Sequence, residues 1–301
     1  MTHAARPIQI VEVGPRDGLQ NDRADLTTDQ KLEFIARLEG AGVTRMESGS
    51  FVSPRAVPKM ADSAEVFAGL DRARRTKHIA LALNEKGVRR AIDADADEIN
   101  FVLVAGEGFG ARNQGMSPAE SAEMLAACAP LVHEAGIPLS ATISVAFGDP
   151  YDGEVDVAVL ARLAEASAEA SVGELALGDT IGVATPWDVH ERFGVVRSAA
   201  PGLSLRAHFH DTRGAGLANV AAAVQAGIDT IDASCGGIGG CPFAPAATGN
   251  VATEDVVYML DRAGFETGID LAAMIETAKW LEGVLGHSIS SSLSKAGMFP
   301  G

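Results

Sequence analysis

The chain has 301 residues, 47% of them hydrophobic, and a formal net charge of −16 at pH 7. That length holds one large α/β domain or two small ones, and a negative balance with no basic run excludes broad electrostatic binding of nucleic acid. The three cysteines, Cys128, Cys235 and Cys241, suggest no disulfide framework and suit a reducing compartment.

In chain order, IQIVEV (Ile8–Val13) predicts a first strand, followed by a helical pattern from Thr28 to Ala41. VTRMES (Val43–Ser48) precedes a helix near Ser63–Leu70, and HIALAL (His78–Leu83) precedes EKGVRRAID. EINFVLV (Glu98–Val104) leads into a loop, GFGARNQGMS, and then the helical SPAESAEMLAACAPLVHEAG. PLSATISV (Pro138–Val145) precedes a helix from Val155 to Ala170, and GELALG (Gly173–Gly178) precedes TPWDVHERFGVVRSA. LSLRAHFH (Leu203–His210) precedes GLANVAAAVQAG, and DTIDAS (Asp229–Ser234) precedes a glycine-rich loop and ATEDVVYMLDRAG. Eight strand–helix pairs predict an α/β protein, a (β/α)8 TIM barrel rather than an open doubly wound sheet. Leu271–Leu285 predicts an additional C-terminal helix, and no linker divides residues 1–301, so one domain is expected. No apolar run is long enough to span a bilayer, and MTHAARPIQIVEV enters the first strand too early for a signal peptide. A cytoplasmic protein with neither membrane nor nucleic-acid partners is expected.

The unusual polar residues fall at the carboxyl ends of the predicted strands, the face on which such a barrel carries its active site. Arg16 and Asp17 follow the first strand, Glu47 ends the second, Asn84 ends the third, and Asp179 and Thr180 follow the sixth. In HFHD, His208 and His210 are two apart on a strand and project to the same side. Two imidazoles there form either a metal-ligand pair or a hydrogen-bonded structural pair. An aspartate from the Arg-Asp turn, Asp17, can complete a mixed nitrogen and oxygen set suited to Mg2+ or Mn2+. The spacing of the cysteines does not suit structural zinc.

CGGIGGCP (Cys235–Pro242) places four glycines between two thiols, a loop able to approach a ligand closely. The thiol of Cys241 is a candidate proton donor to a carbanion or enolate, whereas Cys128, within a helical pattern, reads as core. Arg112, in the loop after the fourth strand, is a candidate for phosphate or carboxylate contact, and Arg55 and Lys59 in SPRAVPKM are further candidates. For each of these three, a solvated loop charge is the plainer alternative.

The segments VEVGPRDGLQND, ESGSFVSPRAVPKMAD, LGDTIGVATP, HFHDTRGAGLAN and GGIGGCPFAPAATGNVATEDVVYML together resemble the 3-hydroxy-3-methylglutaryl-CoA lyase family, from Ile8 to Leu285. The wider superfamily shares the Arg-Asp turn and includes isopropylmalate, homocitrate and citramalate synthases. The resemblance implies a single catalytic TIM barrel of the pyruvate carboxyltransferase-like kind and a divalent metal held by Asp17, His208, His210 and Asn250. It implies catalytic roles for Arg16 and Cys241, with Glu47 and Asp179 supporting the site and Asp17 or a histidine as base. It further implies substrate contacts from Asn113 and Tyr151, an acyl-CoA substrate cleaved to acetyl-CoA and acetoacetate as in leucine degradation and ketone-body metabolism, and a homodimer. A lyase for citramalyl-CoA or a longer branched acyl-CoA, and a non-catalytic acyl-CoA-binding barrel, are the alternatives. The sequence departs from the family pattern where Asp149 replaces a cysteine, where Arg213 stands for a tyrosine, where Cys235 adds a second thiol, and where Gly49 in ESGS is expected to open space.

Overall fold

The computed structural model describes residues 6–240 and 249–299. Cys241 lies outside the described residues. Eight parallel strands close into a barrel in sequence order: β1 (Gln9–Glu12), β2 (Arg45–Ser50), β3 (Lys77–Ala82), β4 (Glu98–Val104), β5 (Leu139–Ser144), β6 (Glu174–Asp179), β7 (Ser204–Phe209) and β8 (Thr230–Ala233), with β8 pairing back onto β1. The helices between them are α1 (Thr28–Gly40), α2 (Ser63–Ala68), α3 (Glu85–Asp93), α4 (Glu107–Asn113), α5 (Pro118–Glu134), α6 (Val157–Glu169), α7 (Pro186–Ala199), α8 (Gly216–Gln225) and α9 (Thr253–Arg262). The expected C-terminal helix is α10 (Leu271–Leu285), followed by a short α11 (Leu293–Ala296). Among the described residues, no helix is long and apolar enough to cross a membrane.

Local sequence explains where the major helices begin. Thr27 with Gln30, Ser117 with Glu120 and Thr185 with Asp188 each form a reciprocal capping box at the start of α1, α5 and α7. Pro118 and Pro186 occupy first-turn positions where a missing N–H costs nothing. Between sheet and helices lies the apolar core, with Phe34, Phe67, Phe101, Phe193 and Phe209 all fully buried. Burying that much apolar surface between the barrel and the inner face of the helical ring is the main source of stability.

The barrel interior is unusually polar. Such barrels are commonly filled by branched aliphatic side chains. Here Arg45 closes the amino-terminal end by donating to Glu98 at 2.6 Å, Glu174 at 2.8 Å and Gln9 at 3.0 Å. One layer above, Arg206 on β7 lies 3.4 Å from both Glu174 and Asp232. The polar filling continues upward to the carboxyl ends of the strands and sets the floor of the site.

Two boundaries differ from the sequence expectation. The strand expected at Val43–Ser48 runs from Arg45 to Ser50, with its register against β3 shifting between Glu47 and Gly49. The segment after β4, expected as a loop, contains the helix α4. Its first turn is held by carboxylates from the next strand's loop: Asp149 accepts from the amide of Phe109 at 2.8 Å, and Asp152 from that of Gly108 at 2.6 Å. A Cβ on Gly106 would lie 1.9 Å from Asp149 Oδ2, so glycine is required where these segments meet. Those tertiary partners have no local signature in GFGARN.

Candidate active site

The Arg-Asp pair sits in a single wide helical turn, Gly14–Gly18, at the carboxyl end of β1. The amide of Gly18 donates to the carbonyl of Val13 at 3.1 Å, closing the five-residue turn. Buried Glu12 steadies both ends of this region. It accepts from the amides of Gly14 at 2.7 Å and Cys235 at 2.9 Å and from the Thr253 hydroxyl at 2.7 Å. Arg16 is consequently presented inward. Its Nη1 donates to Asp17 Oδ1 at 2.7 Å, and its Nε donates to Glu47. Glu47 in turn accepts from Asn100 Nδ2 at 2.9 Å. Burial works against the Arg16 charge, yet Glu47 and Asp17 more than reverse it and hold the guanidinium firmly protonated.

Asp17, His208 and His210 converge, with ligand atoms all within 4.8 Å of one another and all three residues buried. Asp17 Oδ2 lies 3.9 Å from His208 Nε2 and 3.5 Å from His210 Nε2. Asn250, which follows Gly249 and bridges to His210, donates its amide to Asp17 Oδ2 at 2.8 Å. Burial pushes the Asp17 carboxyl up, but Arg16 and the two histidines outweigh it, so the group is held well below the usual carboxylate range. Gly239 passes close beside this cluster at φ 107°, where a Cβ would lie 2.6 Å from Asn250 Nδ2.

These residues fit a divalent cation. The set is two imidazoles and an ionised carboxylate, borderline nitrogen and hard oxygen donors converging on one point. Both imidazoles turn Nε2 toward the same carboxylate oxygen, Asp17 Oδ2, while the buried Nδ1 of His210 has no hydrogen-bond partner among the described residues.

Above the cluster opens a cavity of about 910 Å3. Arg16, Asp17, His208 and His210 form part of its lining, Asn100, Thr142, Ser144 and Thr180 supply a polar side, and Leu81, Leu83, Val102, Phe109 and Met116 supply an apolar one. The volume falls within the range of small-molecule and cofactor sites.

The other expected site residues divide into two groups. Arg112, Asn113, Asn84, Thr180 and Lys59 line the cavity. Several of them also hold structure. Asn84 caps α3 by accepting from the Gly87 amide at 3.0 Å, and Thr180 accepts from the Val145 amide at 2.8 Å. Lys59 donates to the carbonyls of Asp22 and, at 2.7 Å, Ala24, and it pairs with Asp25 at 3.0 Å, so its ammonium ties down the loop after the Arg-Asp turn. Arg112 lies over the Tyr151 ring, 4.0 Å from its centroid.

Tyr151 and Arg55 stand apart from the cavity lining, both exposed. Glu47 lies behind Arg16. Asp179 also lies behind the wall: its oxygens accept from the amides of Val183 at 2.8 Å and Ala184 at 3.1 Å, fixing the turn after β6. Burial raises the Asp179 carboxyl despite those two amides. Gly49 opens no space toward the cavity. A Cβ there would meet Ser63 Oγ at 2.9 Å and Phe67 at 3.2 Å, so α2 already fills the volume. Asp149 is accounted for as the cap of α4. Arg213 donates to the carbonyls of Ile181 at 2.8 Å and Gly182 at 2.9 Å and so braces two neighbouring loops.

Sequence reasoning overlooked three inward-facing residues: Asn100, which orients Glu47; Thr142, which accepts from Arg206 at 3.3 Å and donates to Asn100 at 3.0 Å; and Asp232, 3.1 Å from His208. Their signal was present as polar residues alternating with apolar ones along β4, β5 and β8, at the parity that faces the barrel axis.

Residues 7–281 match the family model described as HMGL-like. The chain is 39% identical to the mitochondrial hydroxymethylglutaryl-CoA lyase of Gallus gallus, covering 96% of this chain and 97% of that protein. It is 40% identical to the 3-hydroxy-3-isohexenylglutaryl-CoA/hydroxy-methylglutaryl-CoA lyase of Pseudomonas aeruginosa, over 97% of each. Its fold superimposes with a TM-score of 0.93 on an HMG-CoA lyase from Acinetobacter baumannii in complex with coenzyme A and 3-methylmalate, at 38% identity and covering 100% of this chain and 99% of that one. With the barrel, the buried Asp-His-His cluster and full-length similarity in agreement, the chain belongs to the HMGL-like family and is an enzyme, a lyase.

Proposed function

We propose that the protein cleaves 3-hydroxy-3-methylglutaryl-CoA to acetyl-CoA and acetoacetate, with residues 1–301 acting as one catalytic domain. The observation that carries this reading is the joining of Arg16 to Asp17 at the edge of the Asp17–His208–His210 cluster, under a cavity of about 910 Å3. A charge donor for a thioester oxygen and a cation site for a hydroxyl stand side by side, as cleavage of a 3-hydroxyacyl thioester requires.

A Mg2+ or Mn2+ ion held by Asp17, His208, His210 and Asn250 would act as a Lewis acid that lowers the pKa of the substrate's tertiary hydroxyl. Asp17 or one of the histidines takes the hydroxyl proton. The oxygen's electron pair then forms the ketone, and the bond between C2 and C3 breaks with its electrons passing into the thioester. Arg16, held by Glu47 and Asp17, presents its guanidinium to the developing enolate oxygen. Cys241 gives its proton to the enolate carbon, releasing acetyl-CoA. Arg112 and Asn113, on the cavity wall, contact the substrate's coenzyme A portion or its carboxylate. Asn84 and Thr180 complete the wall, and Glu47 and Asp179 support the site from behind. In this reading the enzyme is a cytoplasmic homodimer serving leucine degradation or ketone-body formation.

A longer-branched substrate is the second reading, favoured by the Pseudomonas relative that acts on an isohexenyl analogue and by the apolar wall of Leu81, Leu83, Val102 and Met116. Acetyl-CoA release from hydroxymethylglutaryl-, citramalyl- and isohexenylglutaryl-CoA, each with Mg2+ and with Mn2+, tests both. Highest kcat/KM on hydroxymethylglutaryl-CoA supports the first reading. Preference for the isohexenyl substrate replaces it with the second. Metal-independent binding without turnover of any of the three refutes both.

A further inference from the structure

We propose that Asp232 is the positioning residue of His208: it holds the imidazole in the tautomer that leaves Nε2 free to face the cluster. This inference rests on the metal-site reading above. Asp232 and His208 are register partners on adjacent strands, β8 and β7, and both line the cavity. His208 Nδ1 lies 3.1 Å from Asp232 Oδ2, while its Nε2 is the atom facing Asp17. A carboxylate only accepts, so the contact requires a proton on Nδ1, and in the neutral imidazole the lone pair is then on Nε2.

The carboxylate is itself buried and paired in charge. Asp232 is 4% exposed, and its Oδ1 lies 3.4 Å from Arg206 Nε. Arg206 is anchored by Thr142 at 3.3 Å and faces Glu174 at 3.4 Å. His208 is therefore the end of a line of charged side chains, Glu174, Arg206 and Asp232, that begins at the amino-terminal plug of the barrel. His210, two residues on, has no such support, because its Nδ1 lacks a hydrogen-bond partner among the described residues. The two imidazoles of the HFH motif are thus held unequally, and loss of Asp232 acts on one of them. An asparagine at this position is nearly isosteric but can donate to Nδ1, which favours the opposite tautomer and places a proton where a cation should bind.

The test is titration of the full-length, metal-stripped protein with Mn2+ alone, read by calorimetry, for the wild type, Asp232→Asn, His208→Ala and the double variant. Asp232→Asn is expected to weaken Mn2+ binding by about 10- to 100-fold. The double variant is expected to match His208→Ala within roughly twofold, because Asp232 acts through His208. Wild-type affinity in Asp232→Asn, or losses that multiply in the double variant, overturns the proposal. No Mn2+ binding by the wild type overturns the metal-site reading and this inference with it, which separates that failure from the former. If Asp232→Asn does not fold, long-range proton–nitrogen NMR of histidine-labelled, metal-stripped wild type decides: His208 protonated at Nδ1 supports the proposal, and protonation at Nε2 alone overturns it.

Discussion

Arg16 and Asp17 are bonded to each other at 2.7 Å, yet each is also gripped by a different part of the barrel. Arg16 is held from β2 through Glu47, and Asp17 faces the carboxyl end of β7 and the residue after it, through His208 and His210. A buried ion pair that only stabilised the fold would gain little over apolar packing, since desolvation offsets most of its attraction. Its position at the cavity floor fits the proposed reaction, in which Arg16 would face a thioester oxygen and Asp17 a cation.

From this division, Arg16→Gln is expected to bind Mn2+ nearly as the wild type does and to lose on the order of 100- to 1000-fold in kcat, the usual effect of removing one preorganised charge donor. Steady-state kinetics beside a metal titration separates the two quantities. An unchanged kcat with a raised KM alone would show that Arg16 binds substrate without stabilising the enolate.

Replacing Asp17 or His208 with alanine attacks the other half. Either variant removes one of the three convergent donors, and each should lose metal-dependent turnover together with metal affinity. Retention of full activity after treatment with a chelator, in the wild type or in these variants, contradicts the ligand assignment.

The buried Glu12 carboxyl predicts a pH dependence of stability. Burial raises it from 4.5 to about 7, despite hydrogen bonds from Thr253, Cys235 and Gly14. A raised folded pKa means that the folded state binds the proton more tightly than the unfolded chain. Its contribution is therefore fully present below about pH 4.5 and is lost as pH rises through about 7. The magnitude is on the order of 3 kcal/mol. Glu12→Gln, whose amide can donate to Thr253 while its oxygen accepts from the two backbone amides, should flatten this part of the slope. Urea unfolding at a series of pH values from 5 to 8 measures it, and parallel curves for the two proteins rule the assignment out.

The barrel was legible in the sequence because its signal is repetitive: eight short apolar runs alternate with helical patterns, and capping residues mark several helix starts. The Arg-Asp turn and the HFH pair were legible for a different reason, as polar residues where strands end. What stayed hidden depends on contacts distant in sequence. Nothing near Asn100 announces that it orients Glu47, 53 residues away, and nothing in GFGARN announces that Asp149 will cap it. Tyr151 and Lys59 show the converse, since a sequence motif marks a residue without showing whether it faces the cavity or braces a loop.

The thiols give the last prediction. Two of the three cysteines are poor nucleophiles in the folded protein. Cys128 is buried in α5, and burial pushes its thiol up to about 11. Cys235 is fully buried, and burial, reinforced by Glu254 and Glu12, raises its thiol well above the usual range. Because the thiolate is the species that alkylates, both should react slowly. Cys241, outside the described residues, follows the glycine run and precedes Pro242. We expect iodoacetamide to inactivate the native enzyme through Cys241, with protection by substrate and with one label per chain located by mass spectrometry. Cys241→Ser should lose most lyase activity yet keep its metal affinity, since a hydroxyl is a far weaker acid than a thiol of ordinary pKa about 8.5. Cys235→Ser should remain active. A label on Cys235 that tracks the loss of activity, with Cys241 unmodified, would transfer the proton-donor role to the first thiol of the loop.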